Sequence, residues 1–168
     1  MITKHSNLAL SHSRTSFVDE PEIDGVAARQ FQNNTQDPFY YNNATAAREV
    51  FEEAMRVAGC KSVCIHEGWF EDTLPLVRPS EGIGVLRLDG DWFESTMTCL
   101  RELFPHVRPG GLIIIDDYLA FEGCSKAVHR YLADEIRPEA LRAWNSRVYY
   151  LIKSSDSESD PSTAKQER

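Results

Sequence analysis

Two short acidic clusters carry the chemistry this chain offers: Asp89-Gly90-Asp91 closes the apolar run Ile83 to Leu88, and Asp116-Asp117 closes Leu112 to Ile115. Carboxylates without clustered histidine or cysteine describe a donor set for a hard cation. Magnesium takes octahedral oxygen ligands at about 2.0 to 2.1 Å and keeps several waters, which leaves positions for substrate oxygens. Such an ion lowers the pKa of a coordinated alcohol and orients it for attack. Strand-end aspartates also cap helices and loops. With two strand ends involved, the set Asp89, Asp116 and Asp117 reads better as a site than as separate caps.

For these carboxylates to meet, both apolar runs must be neighbouring strands of one sheet. In an open parallel sheet the carboxyl ends of the strands form the ligand crevice, and adjacent backbones lie about 4.8 Å apart. The flanking pattern predicts that arrangement. Ala47, Val50, Phe51, Ala54, Met55 and Ala58 recur at helical spacing within Ala44 to Ala58, with Thr45 placed to cap the start and Gly59 the end. Ser62 to His66 reads as a short strand. Ser95 is a candidate cap for a helix carrying Met97, Leu100, Leu103 and Phe104 until Pro105 stops it. Arg108-Pro109-Gly110-Gly111 reads as a type II turn, with proline setting the first central angle and glycine accepting a positive one. Three consecutive isoleucines, Ile113 to Ile115, mark a strand buried on both faces. Ala127, Val128, Tyr131, Leu132 and Ile136 outline another helix, and Arg147 to Ile152 a last strand. Alternating strands and helices predict parallel pairing through right-handed crossovers, an α/β doubly wound sheet.

Three segments follow from this pattern. Residues 1–43 are polar and aperiodic and predict irregular structure with at most one short helix; 44–153 form the folded part; 154–168, rich in Ser, Asp and Glu, predict a disordered tail. With 168 residues, 42% of them hydrophobic, one core is expected. The net charge of -8, from 26 acidic against 18 basic residues, supplies no basic stripe for phosphate backbones and argues against nucleic acid and anionic membranes as partners. No apolar stretch reaches membrane-spanning length and Met1 to Ser16 lacks a signal-peptide hydrophobic region, so a cytoplasmic location is expected. Cys60, Cys64, Cys99 and Cys124 lack CxxC spacing, and the expectation is reduced, packed thiols rather than zinc.

The motifs in order are Gly68-Trp69-Phe70-Glu71-Asp72-Thr73-Leu74-Pro75, Leu86-Arg87-Leu88-Asp89-Gly90-Asp91-Trp92-Phe93-Glu94-Ser95-Thr96-Met97, Arg108-Pro109-Gly110-Gly111, Ile114-Ile115-Asp116-Asp117-Tyr118 and Gly123-Cys124 with Ala127-Val128. Over about Ala44 to Lys153 the chain resembles the macrocin O-methyltransferase family (TylF/MycF type). The resemblance implies a class I methyltransferase with a partial Rossmann-like, doubly wound sheet, dependent on S-adenosylmethionine and Mg2+. Its small-molecule acceptor would be a hydroxyl of a sugar or natural product. By the same resemblance Asp89, Asp116 and Asp117 match the metal-binding aspartates, and Gly68, Trp69 and Phe70 match the segment beside the cofactor's adenine. Asp89 is the expected base as well as a ligand, with Asp91 its rival and His129 a weaker candidate. Trp69, Trp92 and Tyr118 lie beside the motifs, where aromatic residues more often pack than bind.

The chain departs from that family at its beginning. Such methyltransferases open with a strand and a Gly-rich turn for the methionine part of the cofactor, whereas only Gly25 and Gly59 precede Gly68 here. The acidic stretch Asp19, Glu20, Glu22 and Asp24 is the one candidate remnant of the following strand end. A truncated, non-catalytic methyltransferase-like protein is therefore the alternative, and a homo-oligomer is expected if a partner covers the bare sheet. A phosphohydrolase of the haloacid dehalogenase type, with Asp89 as nucleophile, is a more distant one. The roughly two dozen residues between the clusters are too few for its phosphate-binding elements.

Overall fold

Residues 7–11, 23–25, 36 and 47–155 are described by the structure, a computed structural model. In chain order the elements are β1 (Asn7–Ser11), α1 (Arg48–Val57), β2 (Val63–Glu67), α2 (Phe70–Thr73), β3 (Ile83–Leu88), α3 (Phe93–Leu103), β4 (Val107–Ile115), α4 (Glu122–Asp134), β5 (Arg142–Ala143) and β6 (Tyr149–Ile152).

Among the described residues the strands form two sheets, a β1-β2 pair and a four-stranded sheet in the order β3-β4-β6-β5. The strand β1 corrects the expectation of an irregular 1–43: Asn7 lies opposite Val63 and Ser11 opposite Glu67 in a parallel pair. The β3-β4 pair is parallel as expected, with Leu88 opposite Ile115, so the two acidic clusters leave adjacent strand ends. Parallel pairing does not extend to the last strands. Both β4-β6 and β5-β6 are antiparallel. The β5-β6 connection is too short for a crossover. The Asn145 side chain closes it, its Oδ1 accepting the Arg147 and Val148 N–H groups at 2.8 and 2.9 Å.

The core lies on one face of the larger sheet. Leu86, Leu88, Ile113, Ile115 and Leu151 are buried against Met97, Leu100 and Leu103 of α3 and Cys124, Ala127, Val128 and Tyr131 of α4. Burying such side chains contributes about 1.5–3 kcal/mol each relative to exposure, which makes this layer the dominant source of stability. The other face is open: Val85 is 62% exposed, and Ile114 is only half-buried where burial on both faces was expected. Strand alternation sends Ile113 and Ile115 one way and Ile114 the other, and among the described residues no helix covers the second side. In the same way Cys64 is exposed rather than packed, whereas Cys99 and Cys124 are buried as expected.

Boundaries shift for local reasons. The first long helix starts at Arg48 with Ala47 at its cap position; Thr45 lies outside the described residues. None of its residues is buried, and Phe51 and Met55 line a groove of about 240 Å³ shared with Val63 and Ile65 of β2. Helix α3 begins two residues before Ser95, which is buried inside its first turn. Asp24 supplies the cap instead, its Oδ1 accepting the Phe93 N–H at 2.7 Å. Gly110 takes the positive φ, 76°, expected of the turn, but the turn is an excursion within β4, spanning the register shift between Ile83 and Val85. Of the tail, Ser154 is held by Glu139, and 156–168 lie outside the described residues.

Candidate metal and catalytic site

The parallel register places Asp89 and Asp116 side by side, and the ladder runs one step past both strands, the Asp116 N–H donating to the Leu88 carbonyl at 3.0 Å. Strand alternation gives Val85, Arg87 and Asp89 one common face. One carboxylate oxygen from each of Asp89, Asp116 and Asp117 lies within 4.8 Å of the others. Opposite ligands of an octahedral magnesium stand about 4.2 Å apart, so small side-chain rotations bring this set to coordinating distance. The donors are all hard oxygens, and the residues therefore fit the ion they were expected to hold.

The four aspartates divide into an outer and an inner pair. Asp89 and Asp116 are exposed, and both are engaged by Arg87, whose Nη1 donates to Asp89 at 2.7 Å and whose Nη2 donates to Asp116. Asp91 and Asp117 sit deeper. The Asp91 N–H donates to Asp117 Oδ2 at 3.2 Å. Burial, then the charges of Asp117 and Asp89, push the Asp91 carboxyl up to about 7. Burial also raises Asp117, to about 6, against the lowering effect of that hydrogen bond. Each proton held there relieves like-charge repulsion in the way a bound cation would.

Backbone geometry aims Asp91. Its φ is 58°, and the Trp92 N–H returns to the Gly90 carbonyl at 2.6 Å, a γ-turn across a non-glycine residue. Such a conformation costs on the order of 1–3 kcal/mol and persists where surrounding contacts enforce it. Here they are the Asp24 cap on Phe93, the buried Trp92 ring against Phe121 at 4.9 Å, and Phe70 packed beside Gly90, where a β-carbon would stand 3.5 Å from the ring.

The residues expected at the cofactor differ in what they present. Gly68 ends β2 with φ 139°, Trp69 is 36% exposed, and Phe70 is 6% exposed with its ring in the core. Asp24 is not at a ribose-binding strand end; it caps α3, whose first residue, Phe93, lies two positions after Asp91, and Lys126 Nζ donates to the neighbouring Ile23 carbonyl at 2.7 Å. His129 shares a 2.7 Å hydrogen bond with the Tyr118 hydroxyl, and Tyr118 stacks on Tyr149 at 4.4 Å. The roles of two contributors are not predicted by the sequence. Arg87 had a signal, a charge inside an apolar strand. Asp24 had none, because its partner is 69 residues away.

Comparisons with known proteins bear on this geometry. A family model described as Macrocin-O-methyltransferase (TylF) matches residues 16–150. An 8-demethyl-8-(2,3-dimethoxy-alpha-L-rhamnosyl)-tetracenomycin-C 4'-O-methyltransferase of Streptomyces olivaceus is 53% identical over 64 residues, 38% of this chain and 24% of that protein. A demethyldecarbamoylnovobiocin O-methyltransferase of Streptomyces niveus is 43% identical over 84 residues, 49% of this chain and 32% of that protein. The solved structure of the O-methyltransferase NovP superposes with a TM-score of 0.70 at 26% identity, covering 92% of this chain and 62% of that one. The matched segments thus span about a quarter to a third of the curated relatives' own lengths.

Proposed function

Because this chain belongs to the macrocin O-methyltransferase (TylF) family, we propose that it takes part in methyl transfer from S-adenosylmethionine to a hydroxyl of a sugar or sugar-bearing natural product, assisted by Mg2+. The observation that carries the reading is the meeting of Asp89, Asp116 and Asp117 at adjacent parallel strand ends, with Asp91 beside them. The relatives named above are O-methyltransferases, one of them of a rhamnosyl-bearing compound, which supports the acceptor class. The phosphohydrolase alternative is not carried further, since the family match spans both acidic clusters.

When bound, magnesium supplies the positive charge that favours an ionised acceptor hydroxyl, and S-adenosylmethionine supplies the methyl group. The chain's own carboxylates do the rest. Asp89, Asp116 and Asp117 would hold the ion. Asp91 takes the hydroxyl proton at its carboxylate. Asp89 is the expected base, but in this reading its carboxylate is committed to the ion, whereas Asp91 lies beside the metal set without belonging to it, its N–H donating to Asp117 Oδ2. The Asp24 cap and the γ-turn keep Asp91 aimed while the substrate arrives.

The test is methyl transfer from labelled S-adenosylmethionine to deoxysugar-bearing acceptors. Turnover is expected to need Mg2+, to vanish with Asp116→Asn, and to drop by about 10²–10⁴ with Asp91→Asn. Turnover that persists in chelator and in Asp116→Asn would remove the metal assignment. A second reading, a partner-dependent or non-catalytic methyltransferase-like protein, is favoured by the division of the described sheet into two pieces. It predicts a folded chain without S-adenosylmethionine binding.

A further inference from the structure

Four carboxylates at two strand ends repel one another, and the structure shows how the outer two are held together. Arg87 is the one basic side chain ion-paired to them among the described residues, and its fork spans Asp89 and Asp116 with one amino group on each. Its side chain is 52% exposed and lies on the open face of the sheet, on the same side of β3 as the exposed Val85. The guanidinium and a divalent cation therefore draw on the same two carboxylates. A planar monovalent guanidinium forms two charge-assisted hydrogen bonds there, while a small divalent ion takes direct oxygen ligation and repels a positive group standing next to it.

We propose that Arg87 is an internal counter-ion of this site, released from Asp89 and Asp116 when a divalent cation binds. The inference rests on the metal reading above and adds a regulatory consequence to it. Arg87 keeps the two strand-end carboxylates at the surface and spaced for coordination without a cation. It also sets a threshold: the ion must displace the guanidinium, so affinity is held below what the carboxylates alone would give. The freed guanidinium then stands at the rim of the site, a donor for an anionic or hydroxyl-rich acceptor entering with the metal in place.

The experiment is calorimetric titration of the folded chain with MgCl2 in parallel with Arg87→Gln and Arg87→Lys, accompanied by side-chain NMR of the arginine guanidinium groups. Arg87→Gln is expected to bind Mg2+ about tenfold more tightly than the parent, and Arg87→Lys, which keeps the charge but loses the fork, to lie between them. In the parent, Mg2+ is expected to move the Arg87 guanidinium signal, identified by its loss in Arg87→Gln, to that of a solvent-exposed arginine. Equal or weaker binding by Arg87→Gln, or an Arg87 signal unmoved at saturation, would overturn the proposal while leaving the metal site standing. Absence of Mg2+ binding in all three folded proteins would overturn the metal reading and this inference together.

Discussion

Asp91 concentrates three costs in one residue: a positive φ, burial, and carboxylate neighbours. Replacing it by glycine removes all three. The expected outcome is a variant that melts several degrees higher than the parent while methyl transfer falls by at least about 10². Thermal unfolding and the labelled-cofactor assay check both halves, and a destabilised Asp91→Gly would show that the turn is not strained. The raised carboxyls also give stability a pH dependence. Asp91 and Asp117 titrate near 7 and 6 in the folded chain and in the usual aspartate range when unfolded, so between about pH 4 and 7 the folded state holds protons the unfolded state has lost. Their contribution is complete below pH 4 and lost as pH rises through 7. In metal-free buffer, denaturant unfolding of the parent relative to Asp91→Asn is expected to lose stability across that window; parallel curves would contradict the assignment.

At the scale of elements, the site depends on where α3 begins. A serine just ahead of the apolar pattern Met97, Leu100 and Leu103 is a reasonable cap by sequence, yet the cap is Asp24, delivered from a distant segment. Local patterning cannot show such a contact because propensity describes neighbours along the chain, not across it. Asp24→Ala is expected to cost about 1–2 kcal/mol and to lower methyl transfer beyond the loss of folded protein, because the helix start and the Asp91 turn share this anchor. Gly123 makes a sharper test. A β-carbon there would collide with the Asp24 carboxylate and stand 2.8 Å from the Phe93 nitrogen, so Gly123→Ala is expected to lower the melting temperature at least as far as Asp24→Ala. A neutral Gly123→Ala would mean that α4 and the cap can move apart freely. What the sequence did make legible at this scale was considerable. The β3 and β4 runs, their parallel pairing and the carboxylates at their ends follow from apolar runs closed by acidic residues, and those are the features that define the site. The antiparallel β6, the early start of α3 and the strand at Asn7–Ser11 were not legible, because each depends on a partner strand or cap elsewhere in the chain.

For the molecule as a whole, the unusual feature is a four-stranded sheet that, among the described residues, is covered by helices on one side. Leu86 and Leu88 are buried under α3 and α4, while Val85 on the reverse of the same strand is exposed, and among the described residues β3 has no second strand partner. Exposed edges of this kind invite pairing with another chain. Val85→Lys is expected to leave unfolding free energy within about 0.5 kcal/mol and to reduce concentration-dependent association in sedimentation; an unchanged sedimentation profile would argue that the open face is not an association surface. Family membership, with the model match over residues 16–150, sets the frame for all of this. Calorimetric titration of the folded chain with S-adenosylmethionine, with and without Mg2+, tests the account most directly. It predicts saturable binding at micromolar concentration, and a folded chain that gives no binding heat under either condition would contradict it.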